Sequence, residues 1–252
     1  MKTKFKDTII NYRNSLYYSV FEKIIYSIKR KKFEKKTNPK VTIYTPTKNR
    51  ADILLSRAVK GVLSQTYKNF EYLIIGDYCT DSTEKKIKEI NDPRVKYYEL
   101  RDEGIHYQKL DDIKKIWCRG GAIPSNFALR KANGDWIARC DDDEEWTASF
   151  LEKSINFANN NELDFVSAGS IYAKDNSDLA QSNNTTHKLY SDYFDTSKFL
   201  KNNTNTFIGA PSTWVMRSYL RLFKFNENSW RKEWNQVNDI DFVVRLAYCG
   251  VK

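Results

Sequence analysis

The chain lacks the glycine-rich phosphate loops of the commonest nucleotide-binding folds. Its nine glycines form neither GxGxxG nor a Walker pattern after the first strand-like segment, which disfavours a dinucleotide fold or a P-loop. Cysteine is sparse. Cys79, Cys118, Cys140 and Cys249 lie far apart with no CxxC pair, so a disulfide framework or a zinc site is not expected. The two histidines, His106 and His187, sit in polar stretches without partners at ligand spacing and read as surface residues. No apolar run approaches the ~20 residues of a membrane span, and no secretory leader pattern opens the chain. A cytoplasmic protein is the expectation.

What is present is enough for a packed core: 40% of the 252 residues are hydrophobic and 14% aromatic. The formal charge of +10 would suit a nucleic-acid binder, but it is not spread over the chain. Residues 1–40 carry 12 Lys and Arg against 3 Asp and Glu, whereas the other 212 carry 30 against 29. The body is nearly neutral, so no nucleic-acid partner is expected, and the basic segment reads as a unit of its own. Residues 1–38 are expected to be a basic amphipathic helix and linker, and residues 39–252 the folded domain. Within 5–32, Phe5, Ile9, Tyr12, Leu16, Val20, Ile24 and Ile28 recur at helical spacing, followed by Lys29-Arg30-Lys31-Lys32 and Lys35-Lys36. Such a helix suits an anionic membrane surface, contacted through residues 5–36, and would make the protein peripheral on the inner face of the cell membrane. The competing reading is a helix packed on the body with a solvated basic linker.

From Val41 onward short strands alternate with helices. Strands are expected at Val41–Thr45, Glu71–Gly76, Val95–Leu100, Trp136–Cys140 and Phe207–Arg217. Helices are expected at Ile53–Ser64, Ser82–Ile90, Gly121–Ala132, Thr147–Asn159 and about Asp239 to Tyr248. This alternation predicts an α/β fold with a mostly parallel sheet flanked by helices. Residues 101–119 read as a polar loop and 173–206 as a long Asn- and Ser-rich loop.

Ligands in such sheets bind at the carboxyl ends of the strands. Three strand ends here carry chemistry: Thr45-Pro46-Thr47-Lys48-Asn49-Arg50, Asp77, and Asp141-Asp142-Asp143-Glu144. Clustered carboxylates repel one another unless a cation neutralises them, and Mg²⁺ or Mn²⁺ binds through one or two carboxylates while keeping positions for phosphate oxygens. The acidic run therefore reads as a metal and diphosphate site. Trp146, Trp214, Trp230 and Trp234 are able to stack on sugar faces, with Trp214 the best placed, although core packing is the commoner fate of a tryptophan.

Several stretches resemble family 2 glycosyltransferases of the GT-A fold. They are Thr45–Arg50, Val62-Leu63-Ser64-Gln65-Thr66-Tyr67 through Ile75, Asp77 with Thr80-Asp81-Ser82-Thr83, Ala132–Ile137 leading into Asp141–Trp146, and Asn238-Asp239-Ile240-Asp241 with Arg245. The resemblance covers roughly residues 41–249 with the motifs in the family's order. It implies a Rossmann-like nucleotide-diphospho-sugar transferase in which Thr45, Pro46, Thr47 and Arg50 line the nucleotide pocket and Asp77 meets the base. By the same resemblance, Asp141 and Asp143 are the DxD pair and hold Mn²⁺ or Mg²⁺, Asp143 more directly, while Asp142 contacts the substrate. Asp239 is the implied general base, with Asp241 its near competitor. Asn126 and Trp214 complete the substrate site. Ser125 stands where the family often has arginine, and Arg119 is expected to supply that charge.

The implied activity is inverting, metal-dependent transfer of a hexose or N-acetylhexosamine from a UDP-sugar to a glycan or lipid-linked acceptor in cell-surface polysaccharide synthesis. A nucleotidyltransferase, which would release pyrophosphate, is the competing enzyme class. A catalytically inactive sugar- or nucleotide-binding relative is the other alternative, suggested by the chain stopping at Lys252, soon after Asp239, where relatives usually continue.

Overall fold

The computed structural model describes residues 20–32, 34, 36–101, 120–169, 210–227 and 238–252. A six-stranded sheet forms its centre: β1 (Val41–Thr47), β2 (Phe70–Asp77), β3 (Val95–Leu100), β4 (Trp136–Arg139), β5 (Phe165–Ser167) and β6 (Trp214–Arg217). The order across the sheet is β3-β2-β1-β4-β6-β5. β3, β2, β1 and β4 run parallel, while β6 pairs antiparallel with both β4 and β5. The mixed, mostly parallel sheet matches the expectation.

Burial explains the long apolar runs. All eight residues of β2 are buried, as a strand covered on both faces requires. Strand alternation then sorts side chains between two cores. Val41, Ile43, Phe70, Tyr72 and Ile74 face one side. There they meet α2 (Ala51–Leu54 and Lys60–Leu63, with a π-helical Leu55–Val59 between them), α3 (Thr83–Lys88) and α5 (Phe150–Asn160). Tyr44, Leu73 and Ile75 face the other side, where α1 (Glu22–Lys31), α4 (Ala122–Lys131) and α6 (Asn238–Cys249) pack.

The sequence reading of the sheet needs two corrections. The short strand β5 was not expected. The segment expected as a strand over Phe207–Arg217 is, among its described residues, a 3₁₀ turn at Pro211–Thr213 followed by only four strand residues. Pro211 brings no N–H to a sheet ladder, so pairing starts after it.

Polar clasps fix the elements that carry the site. Gln65 is fully buried; its Nε2 donates to Gly61 O (3.0 Å) and Thr147 O (2.8 Å), and its Oε1 accepts from Leu151 N (3.0 Å). This joins the end of α2 to the segment that follows the acidic run. Ser212, on the 3₁₀ turn, accepts the Trp146 indole N–H at its carbonyl (2.7 Å) and the Asp141 backbone N–H at its hydroxyl (2.7 Å). Trp146 is buried and packs on Phe150 at 4.5 Å between ring centroids, so it is a core residue.

The N-terminal helix is present over Glu22–Lys31 and packs on the body; residues 1–19 lie outside the described set. Among the described residues no helix is long and apolar enough to cross a membrane. His106, His187, Cys118, Trp230, Trp234 and most of the loops 101–119 and 173–206 also fall outside the described residues.

Candidate active site

The carboxyl ends of β1, β2 and β4 open into one cleft of about 510 Å³, lined by Pro46, Thr47, Lys48, Arg50, Asp77, Gly120, Gly121, Pro124, Arg139 and Asp141–Asp143. The parallel register makes this convergence unavoidable: Thr47 pairs with Gly76, one residue before Asp77, and Tyr44 pairs with Arg139, two residues before Asp141.

The end of β1 grips the acidic run. Thr47 Oγ1 donates to Asp142 Oδ2 at 2.8 Å, and Arg50 Nη1 donates to Asp142 Oδ1 and Asp143 Oδ2, each at 3.1 Å. Arg57 Nη1 adds a bond to the Asp143 carbonyl at 2.8 Å. Burial pushes the Asp142 carboxyl above its ordinary pKa, opposed by the Thr47 hydrogen bond and by the Arg50 charge. Asp142 is thus a buried anchor, whereas the Asp143 side chain is about half exposed (49%). The turn between Thr47 and Arg50 passes through Asn49 at φ 53°, a left-handed conformation that Asn tolerates. Asn49 Oδ1 accepts the Thr80 N–H at 2.7 Å and so ties the loop after β1 to the loop after β2.

On the other side Arg139 Nε donates to Asp141 Oδ1 at 2.6 Å. The guanidinium is nearly buried, lies over the Phe225 ring at 5.8 Å, and holds its proton more firmly than a free arginine: burial opposes the charge, but Asp141 together with Tyr44 and Asp239 outweighs that cost. Gly121, at φ 73° before the first turn of α4, leaves room for it: a Cβ there would lie 3.3 Å from Arg139 Nη2. The amino end of α4 therefore lines the cleft through Gly120, Gly121 and Pro124, and the positive end of its helix dipole favours anions nearby.

Asp239 lies in the first turn of α6, half-buried, and its charge reaches Arg139. The neighbouring Asn238 donates from Nδ2 to the Gly120 carbonyl at 2.8 Å, which seats the start of α6 on the cleft wall. Asp241 has a different environment. It is fully buried, with Arg245 Nε at 2.8 Å and Asn226 Nδ2 at 3.3 Å.

Of the residues singled out from the sequence, the structure brings together Pro46, Thr47, Arg50, Asp77, Asp141, Asp142 and Asp143; Asp239 is not among the lining residues but follows Asn238, which bonds Gly120 of the cleft wall. Three others are placed elsewhere. Thr45 is buried in the sheet two residues short of the strand end, where its hydroxyl shares a 2.8 Å hydrogen bond with Tyr72. Asn126 is consumed by the chain around Phe225, donating to Phe225 O (2.9 Å) and Glu227 Oε1 (3.0 Å) and accepting from Phe225 N (2.8 Å). Trp214 is 5% exposed and stacks on Phe242 at 6.0 Å, inside the core. Arg119 lies outside the described residues. Gly120, Gly121, Pro124 and Arg139 were missed, and Lys48, part of the stretch at the end of β1, had no role assigned. Arg139 was findable, since it sits two residues before Asp141 at a strand end and shares its side of the chain.

A divalent ion fits these residues. Asp141 and Asp143 both face the cleft, and each gives one oxygen to an arginine. The lining holds four carboxylates against Lys48, Arg50 and Arg139, so a diphosphate entering it needs another cation. Mg²⁺ or Mn²⁺ held by one or two carboxylates and phosphate oxygens meets that need. Among the described residues no group of three His, Cys, Asp or Glu gathers as an all-protein cage.

The model of glycosyl transferase family 2 matches residues 42–223. A curated relative is the UDP-Glc:alpha-D-GlcNAc-diphosphoundecaprenol beta-1,3-glucosyltransferase WfgD of Escherichia coli, 32% identical over 126 residues, covering 50% of this chain and 44% of that protein. Among solved structures, S. aureus TarS 1–349 in complex with UDP aligns with 83% of this chain and 55% of its own at a TM-score of 0.56 and 16% identity. The mannosyltransferase PcManGT from Pyrobaculum calidifontis, in complex with GDP-Man and Mn²⁺, aligns with 84% of this chain and 57% of its own, TM-score 0.52, identity 17%. At such identities the likeness is one of fold. The chain spans about half the length of the curated relatives it matches.

Proposed function

The chain belongs to glycosyl transferase family 2, and from that premise we propose that it performs metal-dependent, inverting transfer of a hexose or N-acetylhexosamine from a UDP-sugar to a glycan or lipid-linked acceptor in cell-surface polysaccharide synthesis. The observation that carries the reading is the acidic run Asp141–Asp143, clamped by Thr47, Arg50 and Arg139 in the same cleft as Asp77. The E. coli relative's name, with UDP-glucose as donor and a diphosphoundecaprenol-linked acceptor, supports the donor and acceptor classes.

In this reading Pro46, Thr47 and Arg50 flank the nucleotide and Asp77 hydrogen-bonds its base. Asp143 and Asp141 hold Mn²⁺ or Mg²⁺, which when bound neutralises charge on the diphosphate leaving group. Arg139 and the amino end of α4 face the same anionic group. Inverting transfer asks the protein for one carboxylate to take the acceptor hydroxyl's proton as it attacks the anomeric carbon. Asp239 is that base. Its partly exposed position in the first turn of α6, next to Asn238 on the cleft wall, favours it over Asp241, which is fully buried and bound to Arg245. The partner surface is an anionic membrane contacted through the N-terminal segment, which places the protein at the cytoplasmic face.

The test is calorimetric titration with UDP in the presence and absence of Mn²⁺, followed by Asp239→Asn. Binding is expected to depend on the metal. The variant is expected to bind UDP normally and lose transfer by a factor of about 10²–10⁴, the usual worth of a general base. UDP binding that is absent, or indifferent to metal, refutes the site; full turnover in Asp239→Asn refutes the base.

A further inference from the structure

A surface helix ordinarily buries its apolar stripe and shows its polar side to water. Helix α1 does the reverse. The residues it turns to the body are Glu22, Tyr26 and Arg30. Glu22 is 1% exposed and accepts from Arg245 Nη1 at 2.5 Å. The Tyr26 hydroxyl donates to Asp164 Oδ2 at 2.6 Å, and Arg30 Nε pairs with the same oxygen at 2.9 Å. Ile24 and Ile28, by contrast, are 52% and 48% exposed, and Val20 is 43% exposed. At roughly 100° per residue, the centre of the Ile24–Ile28 stripe lies about 180° from the centre of the Glu22, Tyr26 and Arg30 face.

We infer that this outward stripe is a docking surface for an anionic lipid bilayer. Charge selects the occupant. Lys23, Lys29, Lys31 and Lys32 are exposed on the same helix and its end. By the same geometry Lys23 and Lys29 fall about 120° to either side of the stripe's centre. Of the two acidic residues between 20 and 36, Glu22 is buried against Arg245. An apolar band with lysines along its flanks is the arrangement of a helix lying in the plane of an interface, its lysines reaching up to the headgroups.

The inverted packing also fixes the docked orientation. Arg245 belongs to α6, the helix whose first turn carries Asp239, and it bonds Glu22, Asp241 and the Phe223 carbonyl. The membrane face and the cleft wall are therefore parts of one packed body, joined by direct side-chain contact between α1 and α6. The inference deepens the proposed transfer to a lipid-linked acceptor and rests on that reading for its purpose, but not for its geometry.

The experiment is co-sedimentation of the full chain with vesicles of phosphatidylcholine alone and with about 30 mol% phosphatidylglycerol, which gives the surface a negative potential. Wild type is expected to bind the anionic vesicles. Ile24→Gln/Ile28→Gln should weaken that binding about tenfold or more, because two half-exposed side chains no longer enter the interface. Lys31→Gln/Lys32→Gln should weaken it on anionic vesicles only. Since both Ile positions are at the surface, the melting temperature should stay within about 2 °C of wild type and UDP affinity should not change. Wild-type vesicle binding by the isoleucine variant overturns the assignment. So does a dimer, seen by analytical ultracentrifugation, that this variant abolishes while neither protein binds vesicles; a second copy would then cover the stripe. Vesicle binding that follows the predictions in a protein that fails to bind UDP leaves the docking face standing and sinks the transferase reading alone.

Discussion

Replacing Arg245 by methionine is expected to cost about 3–5 kcal/mol of stability, because it strands charges inside the protein. Arg245 is 2% exposed and lies between two carboxylates that are themselves buried, Asp241 at 0% and Glu22 at 1%. It bonds Asp241 at 2.8 Å and Glu22 at 2.5 Å and also donates to the carbonyls of Phe223 and Lys224. Methionine fills much of the volume, so the loss is electrostatic rather than a cavity. Asp241 then leans on the weaker support of Asn226 Nδ2 at 3.3 Å in place of the guanidinium. For a chain of this length each kcal/mol lowers the melting temperature by about 2–4 °C, giving a fall of roughly 10 °C by calorimetry or fluorimetry. The triple variant Glu22→Gln/Asp241→Asn/Arg245→Met should recover most of that fall, since the ionic groups are removed together. Transfer should decline more than UDP binding in Arg245→Met, because α6 presents Asp239 while the acidic run is held from β1. A melting temperature within about 3 °C of wild type would refute the claim that the buried ions anchor α1 to α6.

Two further perturbations test the placement of residues. Asn126→Ala should destabilise the chain by about 1–3 kcal/mol by leaving the Phe225 N–H and carbonyl without their partner, with UDP affinity unchanged. Weaker UDP binding at unchanged stability would return Asn126 to the substrate site. Gly134→Ala places a Cβ closer than 3.0 Å to Thr42 N, Trp136 O and Lys40 O, all backbone atoms of β1, β4 or the residue leading into β1. Overpacking of this kind costs about 1–3 kcal/mol or more. An unchanged denaturant midpoint would show that β1 can give way there.

The sheet was legible because burial on both faces writes long apolar runs, and helices between them carry a different period. Val95–Leu100 was placed to the residue, and the ends of β1 and β2 within two. β5 escaped because three residues carry no readable period, and β6 was drawn too long because an apolar stretch around Pro211 resembles a strand until the missing N–H is counted. The site was legible where chemistry and strand end coincide, as at Thr47, Asp77 and Asp141–Asp143. Asn126 and Trp214 show the limit of that logic. Asn126 sits on α4, whose amino end lines the cleft, and Trp214 on β6 beside β4, but the amide of one is drawn into a backbone clasp and the ring of the other into the stack with Phe242. Residue type and motif position do not reveal which way a side chain on a wall points.

Helix α1 posed the sharper problem, because its two sequence readings were set against each other: a helix for the membrane or a helix for the body. The structure packs the helix on the body through its polar face and leaves the apolar stripe outward, which is the face the proposed docking uses. Periodicity reports only that an apolar stripe exists, and the usual inference that the stripe faces the core assumes that polar residues have nothing to gain by burial. Here the body offers Arg245 to Glu22 and Asp164 to Tyr26 and Arg30, so the polar face goes inward and the stripe outward. Those partners come from residues more than a hundred positions away, beyond any local pattern. The same long-range pairing links the outward stripe to α6, and through it to Asp239. A polar substitution at Ile24 and a charge-removing substitution at Glu22 should therefore separate: the first acts on what the protein docks to, the second on how firmly the helix that carries Asp239 is held.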